Sequence, residues 1–251
     1  MLDKSKSVVT IHDMLLTKMP EIIYSGIFAK PFGIYYDKTM TEAMKSKEII
    51  AISKETAEEL SEYYNINIIR DAIRADLFTE KGQKQELYLI GTISKLNKRK
   101  RIDLLIESYL EANIPNSQLL IGGTGNRMDY LKKVANGDSR VKFLGFISDE
   151  DLNKFYNSLD VFVFPTMMEG YGLLIVEAMV CSLPVITLED ALIPNDLKEK
   201  TFVSSKENFT NDLKEKDFSV NIKTKLGFVK EHSKEKIGKQ HLEVYKKVLE
   251  Y

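Results

Sequence analysis

The 251-residue sequence has no tryptophan, one cysteine and three histidines. A single cysteine, Cys181, excludes an intramolecular disulfide framework and a cysteine-rich zinc site, and the histidines are too few and scattered for a metal cluster. No apolar run approaches the ~18 residues that a membrane span needs, and no secretion signal is visible. Lys plus Arg (36) balance Asp plus Glu (37), so the charge favours neither a nucleic acid nor a membrane surface as partner. We therefore expect a soluble, cytoplasmic α/β enzyme.

From about Glu86 onward, short apolar strands alternate with segments of helical periodicity. In Ile102 to Leu110, for example, apolar residues recur at the three-and-four spacing of one helix face. Ser148 precedes three acidic residues and has the character of a helix N-cap. Continuously apolar strands between helices are typical of a parallel sheet covered on both faces. This part of the chain is predicted to be a doubly wound domain.

The first ~85 residues carry fewer signals of this kind. The predicted elements there are strands 8–11, 48–52 and 67–69 and a helix over 54–64 that begins after Ser53. A polar stretch at 79–85 has the composition of a linker, and 235–251 has the pattern of an amphipathic helix. The predicted organisation is an N-terminal domain over 1–84, a C-terminal domain over 85–230 and a terminal helix over 231–251.

The segment from Phe162 to Met179 is the richest in chemical signals. An apolar strand ends at Pro165, a loop follows, and Gly170 and Gly172 open a helix. Ligands of doubly wound sheets bind at the carboxyl ends of the strands. Glycines at a helix start let backbone amides approach an anion that the helix dipole already favours. Glu177 lies roughly 10 Å along that helix from its opening. A diphosphate bound at the helix start would therefore place attached hydroxyl groups within reach of two carboxylates, Glu169 on the loop and Glu177 on the helix.

This segment resembles the donor-binding motif of retaining glycosyltransferases of the GT-B fold, in particular the family-four hexosyltransferases (glycosyl transferases group 1). Their hallmark is two glutamates separated by seven residues in a Pro-Ser-x-x-Glu-Gly-Phe-Gly-x-x-x-x-Glu-Ala-Met context. That context runs from Pro165 to Met179 here, with Thr166 for Ser and Tyr171 for Phe. The resemblance implies an α/β fold of two Rossmann-like, doubly wound parallel-sheet domains. The domain over 1–84 would lie on the acceptor side, the domain over 85–230 would bind the nucleotide-sugar donor, and the helix over 231–251 would pack back toward the first domain. The N-terminal domain would be truncated, since only eleven residues precede His12 where the family usually has several strands.

A second stretch, Ser94 to Leu105, resembles the loop with which the family supplies an Arg and a Lys to the diphosphate. Lys100 stands in the Lys position. Counting back from Lys100 puts Lys95 in the Arg position, whereas counting forward from Gly91 puts Thr92 there. Either departure replaces a bidentate guanidinium. Lys98, Arg99 and Arg101 are expected to form a solvated surface.

Weaker similarities complete the resemblance. Gly123 lies in the counterpart of the family's glycine-containing strand end, and Phe146 in that of the turn that meets the nucleotide base. His12 matches a strand-end His-Asp whose imidazole faces the donor sugar. The catalytic residues implied are His12, Lys95, Lys100 and Glu169. The donor-binding residues implied are Gly123, Phe146, Gly170, Tyr171, Gly172, Leu173 and Glu177.

The resemblance implies that a hexosyl group moves with retention from a nucleotide diphosphate sugar to an acceptor hydroxyl. Lys95, Lys100 and the amides after Gly170 would stabilise charge on the leaving diphosphate, without a metal or other cofactor. The expected partners are the nucleotide sugar, a glycan, lipid or protein acceptor, and a second copy or partner chain, because a shortened sheet exposes its edges. No nucleic acid and no membrane span are expected.

Other interpretations stay open. Glu177 suits a solvated helix face, Glu169 a helix-start carboxylate and His12 a structural hydrogen bond. The glycines at 122–125 suit tight turns, and Tyr171 suits packing. For the whole chain, the alternatives are a nucleotide-sugar-binding subunit that needs a partner chain for activity and a sugar-nucleotide epimerase.

Overall fold

A computed structural model of the chain describes residues 6–14, 29–60, 66–72, 86–218 and 231–249. These residues divide into two units. The larger unit contains residues 86–168 and 173–218. The smaller unit contains residues 6–72 as far as they are described, together with 169–172 and 231–249.

Six parallel strands form the sheet of the larger unit. They are β4 (Tyr88–Ile93), β5 (Ser117–Gly122), β6 (Val141–Gly145), β7 (Val161–Val163), β8 (Val185–Leu188) and β9 (Phe202–Ser204). Their order in the sheet is β6-β5-β4-β7-β8-β9. The chain therefore starts in the middle, adds β5 and β6 on one side, and then adds β7, β8 and β9 on the other. The switch point lies between β4 and β7, which is where doubly wound sheets bind ligands.

Helices connect these strands. They are α3 (Ile102–Ala112), α4 (Met128–Val134), α5 (Asp149–Ser158), α6 (Leu173–Val180), α7 (Asn195–Lys198) and α8 (Phe209–Glu215), with a 3₁₀ turn at Lys98–Lys100. The strands β7 and β8 are buried at every position, as continuously apolar strands covered on both faces must be. In α5, Ser148 is the N-cap and its hydroxyl accepts a hydrogen bond from the Asp151 amide. The predicted doubly wound parallel sheet is confirmed.

The smaller unit has a parallel sheet of three described strands in the order β1-β2-β3. Its elements are β1 (Val8–Ile11), α1 (Ala29–Ala43), β2 (Glu48–Ala51), α2 (Lys54–Glu59), β3 (Ile66–Ile68) and α9 (Lys234–Leu249). On α9, Ile237 and Val244 pack with Ile50 and Ile69, which couples the terminal helix to this sheet. The predicted linker at 79–85 lies outside the described residues. The domain boundaries inferred from the sequence stay predictions.

Candidate functional site

A cavity of about 360 Å³ lies at the carboxyl ends of β4, β5 and β6. Its lining residues are Ile93, Ser94, Lys95, Gly123, Thr124, Gly125, Phe146 and Ile147. Three residues singled out from the sequence, Lys95, Gly123 and Phe146, thus surround one cavity. Lys95 is exposed, and Phe146 leaves 79% of its surface accessible. The cavity therefore offers a cation, a stretch of backbone and an aromatic ring to whatever enters it.

The glycines of this cavity are required by close packing of backbone. The Leu96 amide donates to the Thr124 carbonyl at 2.9 Å, which holds the loop after β4 against the loop after β5. A Cβ on Gly123 would lie 1.9 Å from the Ser94 carbonyl oxygen, and Gly123 has a φ of +104°. A Cβ on Gly125 would lie 2.2 Å from the Leu96 oxygen. Any larger residue would push these loops apart and change the cavity.

Buried hydroxyl groups lie beside the cavity. Among the described residues, the Ser94 and Thr92 hydroxyls have no hydrogen-bond partner, although both are buried. Thr92 lies inside β4, whereas Ser94 and Lys95 follow its end and line the cavity. The structure therefore brings Lys95, and not Thr92, to the cavity. Sequence reasoning missed Ser94, which lines the cavity and whose buried hydroxyl has no hydrogen-bond partner among the described residues.

Lys100 ends the 3₁₀ turn in the loop after β4, and its side chain packs against the end of the neighbouring strand, β7. Its side chain is buried, and its Nζ atom is 4.7 Å from the centroid of the Phe164 ring, directly after β7. A desolvated ammonium group over an aromatic face is stabilised by the ring quadrupole. Lys100 thus holds a positive charge at the carboxyl end of a central strand, beside the switch point.

Glu177 on α6 is oriented by a tyrosine of α5. The Tyr156 hydroxyl donates to Oε2 of Glu177 at 2.9 Å. Burial raises the pKa of Tyr156 well above its usual value, and the Glu177 charge adds to this effect. Tyr156 is therefore a permanent donor that fixes one oxygen of Glu177. On the same helix end, burial raises the pKa of Cys181 to about 12, with a further contribution from Glu177, so the thiol is a buried, unreactive side chain.

The smaller unit brings His12 and Gly170 together. A Cβ on Gly170 would lie 2.0 Å from the His12 carbonyl oxygen, so glycine is needed for this contact. The His12 imidazole is 63% exposed, and its Nδ1 atom is 3.6 Å from Oδ2 of Asp71. His12 therefore stands at the end of β1 with a carboxylate beside one ring nitrogen and the other side open.

The remaining predicted residues flank Gly170 in the chain. Glu169 is half-buried. Tyr171 is buried, and its ring centroid is 5.9 Å from that of His232, as the packing interpretation expects. Gly172 has a φ of +99°, a conformation that suits glycine, and Leu173 begins α6 immediately after it.

One expectation from the sequence is wrong. Arg101 does not belong to a solvated surface, because its side chain is buried and donates to the carbonyl oxygens of Pro165 and Thr166. Arg99 is half-buried and donates to the carbonyl oxygen of Met168. The partners lie more than sixty positions away in the chain. Local charge patterning therefore contains no signal of these contacts.

Two Rossmann-like parallel sheets, the larger with its cavity at the strand ends, are the architecture of GT-B glycosyltransferases. Solved structures share this fold. The sucrose-phosphate synthase of Thermosynechococcus elongatus has a TM-score of 0.76 at 20% identity, over 97% of this chain and 68% of that one. The pneumococcal O-GlcNAc transferase GtfA, in complex with UDP and GlcNAc, has a TM-score of 0.72 at 20% identity, over 86% of this chain and 48% of that one.

The chain belongs to the family of glycosyl transferases group 1, whose profile matches residues 73–202. An uncharacterised glycosyltransferase of Methanocaldococcus jannaschii is 28% identical over 68% of this chain and 52% of its own length. An O-antigen chain mannosyltransferase B of Escherichia coli is 27% identical over 75% of this chain and 54% of its own length. The chain thus spans about half the length of these relatives. The family resemblance inferred from the sequence is confirmed.

Two features are absent from the described residues. None of their helices has the length and apolar character needed to cross a membrane. In the same part of the chain, no group of three or more His, Cys, Asp or Glu residues is arranged to hold a metal ion.

Proposed function

We propose that this chain is a retaining glycosyltransferase, which moves a hexosyl group from a nucleotide diphosphate sugar to an acceptor hydroxyl, and that its larger unit binds the donor. The observation that carries the proposal is the cavity at the carboxyl ends of β4, β5 and β6. Its volume of about 360 Å³ falls in the usual range for small-molecule sites. The exposed ring of Phe146 suits a nucleotide base, and the backbone at Gly123 with the Ser94 hydroxyl suits polar groups of the donor.

The charge of the donor has matching groups in the same unit. Lys95 lines the cavity, and the side chain of Lys100 packs at the end of β7. A diphosphate bound between the strand ends would gain from both ammonium groups, and the start of α6 adds the positive end of a helix dipole. Glu177, held by Tyr156, and Glu169 before the helix are proposed to bind hydroxyl groups of the donor.

The reaction that we propose is the one that the family resemblance implies. The bond between the anomeric carbon and the phosphate oxygen breaks while the acceptor oxygen bonds to that carbon from the same side. The acceptor proton passes to an oxygen of the leaving diphosphate. Negative charge grows on the diphosphate, so Lys95 and Lys100 stabilise the transition state more than the ground state. We propose that two lysines and a helix dipole suffice without a metal ion, and turnover that persists in excess chelator would support this.

A second candidate is a binding subunit that needs a partner chain for activity. The chain spans about half of its relatives. A crystal structure of a GtfA/B complex is among the solved structures that it resembles, with a TM-score of 0.65 at 18% identity over 87% of this chain and 48% of that one. A partner would then supply the acceptor half of the site.

Calorimetric titration tests donor binding directly. UDP, GDP, ADP and their sugar derivatives are each titrated into the chain, and one nucleoside diphosphate is expected to bind in preference to its monophosphate. Lys100→Ala should lower the affinity for that diphosphate by roughly tenfold to a hundredfold, because the desolvated pair between the Lys100 ammonium group and the diphosphate is lost. Lys154→Ala is the matched control, since Lys154 is exposed on α5 and pairs with Asp151 of the same helix. Failure of every diphosphate to bind would contradict the proposal.

Turnover separates the two candidates. Donor hydrolysis by the chain alone supports the transferase, and Glu169→Ala should abolish it. Tight diphosphate binding without hydrolysis, followed by transfer when a partner chain is added, supports the subunit.

A further inference from the structure

One guanidinium group joins three strand-end loops of the larger unit. Arg101 follows the 3₁₀ turn in the loop after β4. Its Nε atom donates to the Pro165 carbonyl at 2.6 Å, and Nη2 donates to the Thr166 carbonyl at 2.7 Å, both just after β7. Its Nη1 atom donates to the two carboxylate oxygens of Asp190, after β8, at 2.9 and 2.8 Å. All three nitrogens of a single side chain therefore hold the carboxyl ends of β4, β7 and β8 together.

These contacts are of the strong kind. The Arg101 side chain is only 11% exposed, so its charge-assisted hydrogen bonds are largely shielded from water. Hydrogen bonds from Arg101 and Lys206 lower the pKa of Asp190 to about 2, which keeps that partner ionised. A lysine at this position would be a point charge without a planar fork and would not reach two carbonyls and a carboxylate at once.

Arg99 holds the other end of the loop after β7. The Met167 amide donates to the Arg99 carbonyl at 2.9 Å, and the Arg99 side chain donates back to the Met168 carbonyl. The segment 165–168 is therefore fixed along its length against the turn that contains Lys100. Glu169 follows this segment directly in the chain.

The backbone conformation at position 101 is unfavourable for an arginine. Arg101 has a φ of +49°, in the left-handed region that favours glycine. Glycine would satisfy that backbone without strain but would leave the carbonyls of Pro165 and Thr166 without their donor. The hydrogen bonds of the side chain offset the unfavourable backbone conformation.

We propose that Arg101 is a positioning residue of the donor site, which sets the segment 165–168 and Lys100 so that Lys100 meets the diphosphate. This inference rests on the function proposed above. Arg101 acts only through these neighbours and does not contact the donor itself.

The test compares Arg101→Lys and Arg101→Gly with Arg140→Lys. Arg140 is the matched control, because it makes a bidentate pair with Asp138 and a bond to Asn113 away from the strand-end loops. Hydrogen–deuterium exchange reports on the contacts of Arg101 with the segment 165–168 without any ligand. Both Arg101 variants should speed exchange of the amides at 166–168 by roughly tenfold or more, with exchange in β5 unchanged. Arg140→Lys should change neither region.

Nucleotide titrations test the positioning role. In the Arg101 variants, affinity for the nucleoside diphosphate should fall roughly tenfold, while affinity for the monophosphate changes less than about threefold. A structural role alone would reduce the fraction of binding-competent protein and raise the apparent dissociation constants of both nucleotides by the same factor. Either unchanged exchange at 166–168 or an equal loss for both nucleotides would overturn the inference. Absence of any nucleotide binding in the unsubstituted chain would instead overturn the proposed function, and this role with it.

Discussion

The two units bury their sheets to different extents. In the larger unit, one cluster of twenty buried apolar side chains runs through the six-stranded sheet and its helices. In the described part of the smaller unit, the clusters hold five and four buried side chains, and Ile34 on α1 is 71% exposed. Stability from burial scales with the apolar area removed from water. Among the described residues, the larger sheet therefore has the more extensive core to support a binding site.

The difference also appears at the candidate site residues. In the larger unit, the loop after β4 contains both Lys95 and Lys100. Backbone hydrogen bonds and the side chain of Arg101 join this loop to neighbouring strand ends. In the smaller unit, the imidazole of His12 is mostly exposed and has Asp71 as its ion-pair neighbour at 3.6 Å. Preorganised binding groups are thus concentrated where the core is large, as precise sites require.

The largest expected effect comes from removing a fully buried aromatic side chain from the larger unit. Phe162 in β7 is fully buried, with its ring 5.4 Å from that of Tyr156 and 6.0 Å from that of Phe164. Phe162→Ala should lower the free energy of unfolding by about 3–5 kcal/mol, since a ring-sized cavity is left behind. The chain has no tryptophan, so urea unfolding is followed by circular dichroism. Ile34→Ala is the control and should stay within about 0.5 kcal/mol. Equal losses in the two variants would contradict the contrast between the units.

Much of the larger sheet was predictable from the sequence, because buried strands and amphipathic helices alternate there without interruption. The helix α1 was not predicted, since Pro31 and Gly33 in its sequence disrupt the helical pattern. The competing alignments of Lys95 and Thr92 were equally possible from spacing alone. The structure distinguishes them because β4 ends at Ile93, which places Thr92 in the strand and Lys95 in the loop. The role of Arg101 depends on carbonyl groups more than sixty residues away, which no local pattern encodes.

A second prediction compares one capping interaction in both units. The Ser53 hydroxyl caps α2 by accepting from the Thr56 amide at 3.0 Å and is buried, whereas the Ser148 cap of α5 is 3.3 Å long and exposed. A buried donor left without a partner costs more than one that water can reach. Ser53→Ala should therefore cost about 1–2 kcal/mol and Ser148→Ala about 0.5–1 kcal/mol. Urea unfolding of both variants measures the two costs, and a larger cost at Ser148 would show that burial of the cap does not decide its strength.

The smallest expected effect is acid destabilisation of the larger unit through Asp190. Arg101 first, and Lys206 after it, lower the pKa of Asp190 from 3.8 to about 2. A carboxylate with a lowered pKa stabilises the folded state above pH ~4, and this contribution disappears as the pH falls toward ~2. Because Asp190 is 41% exposed, solvent screening limits the contribution to about 0.5 kcal/mol.

The difference in unfolding free energy between the unsubstituted chain and Asp190→Asn isolates this contribution, since all other carboxylates titrate in both proteins. That difference should be constant above pH ~4 and shrink as the pH falls toward ~2. Amides at 166–168 should lose protection over the same range, because Asp190 anchors the guanidinium that holds them, whereas amides of β2 in the smaller unit should not follow this titration. A difference that grows on acidification would mean that the pair of Arg101 and Asp190 does not stabilise the strand ends of the larger sheet.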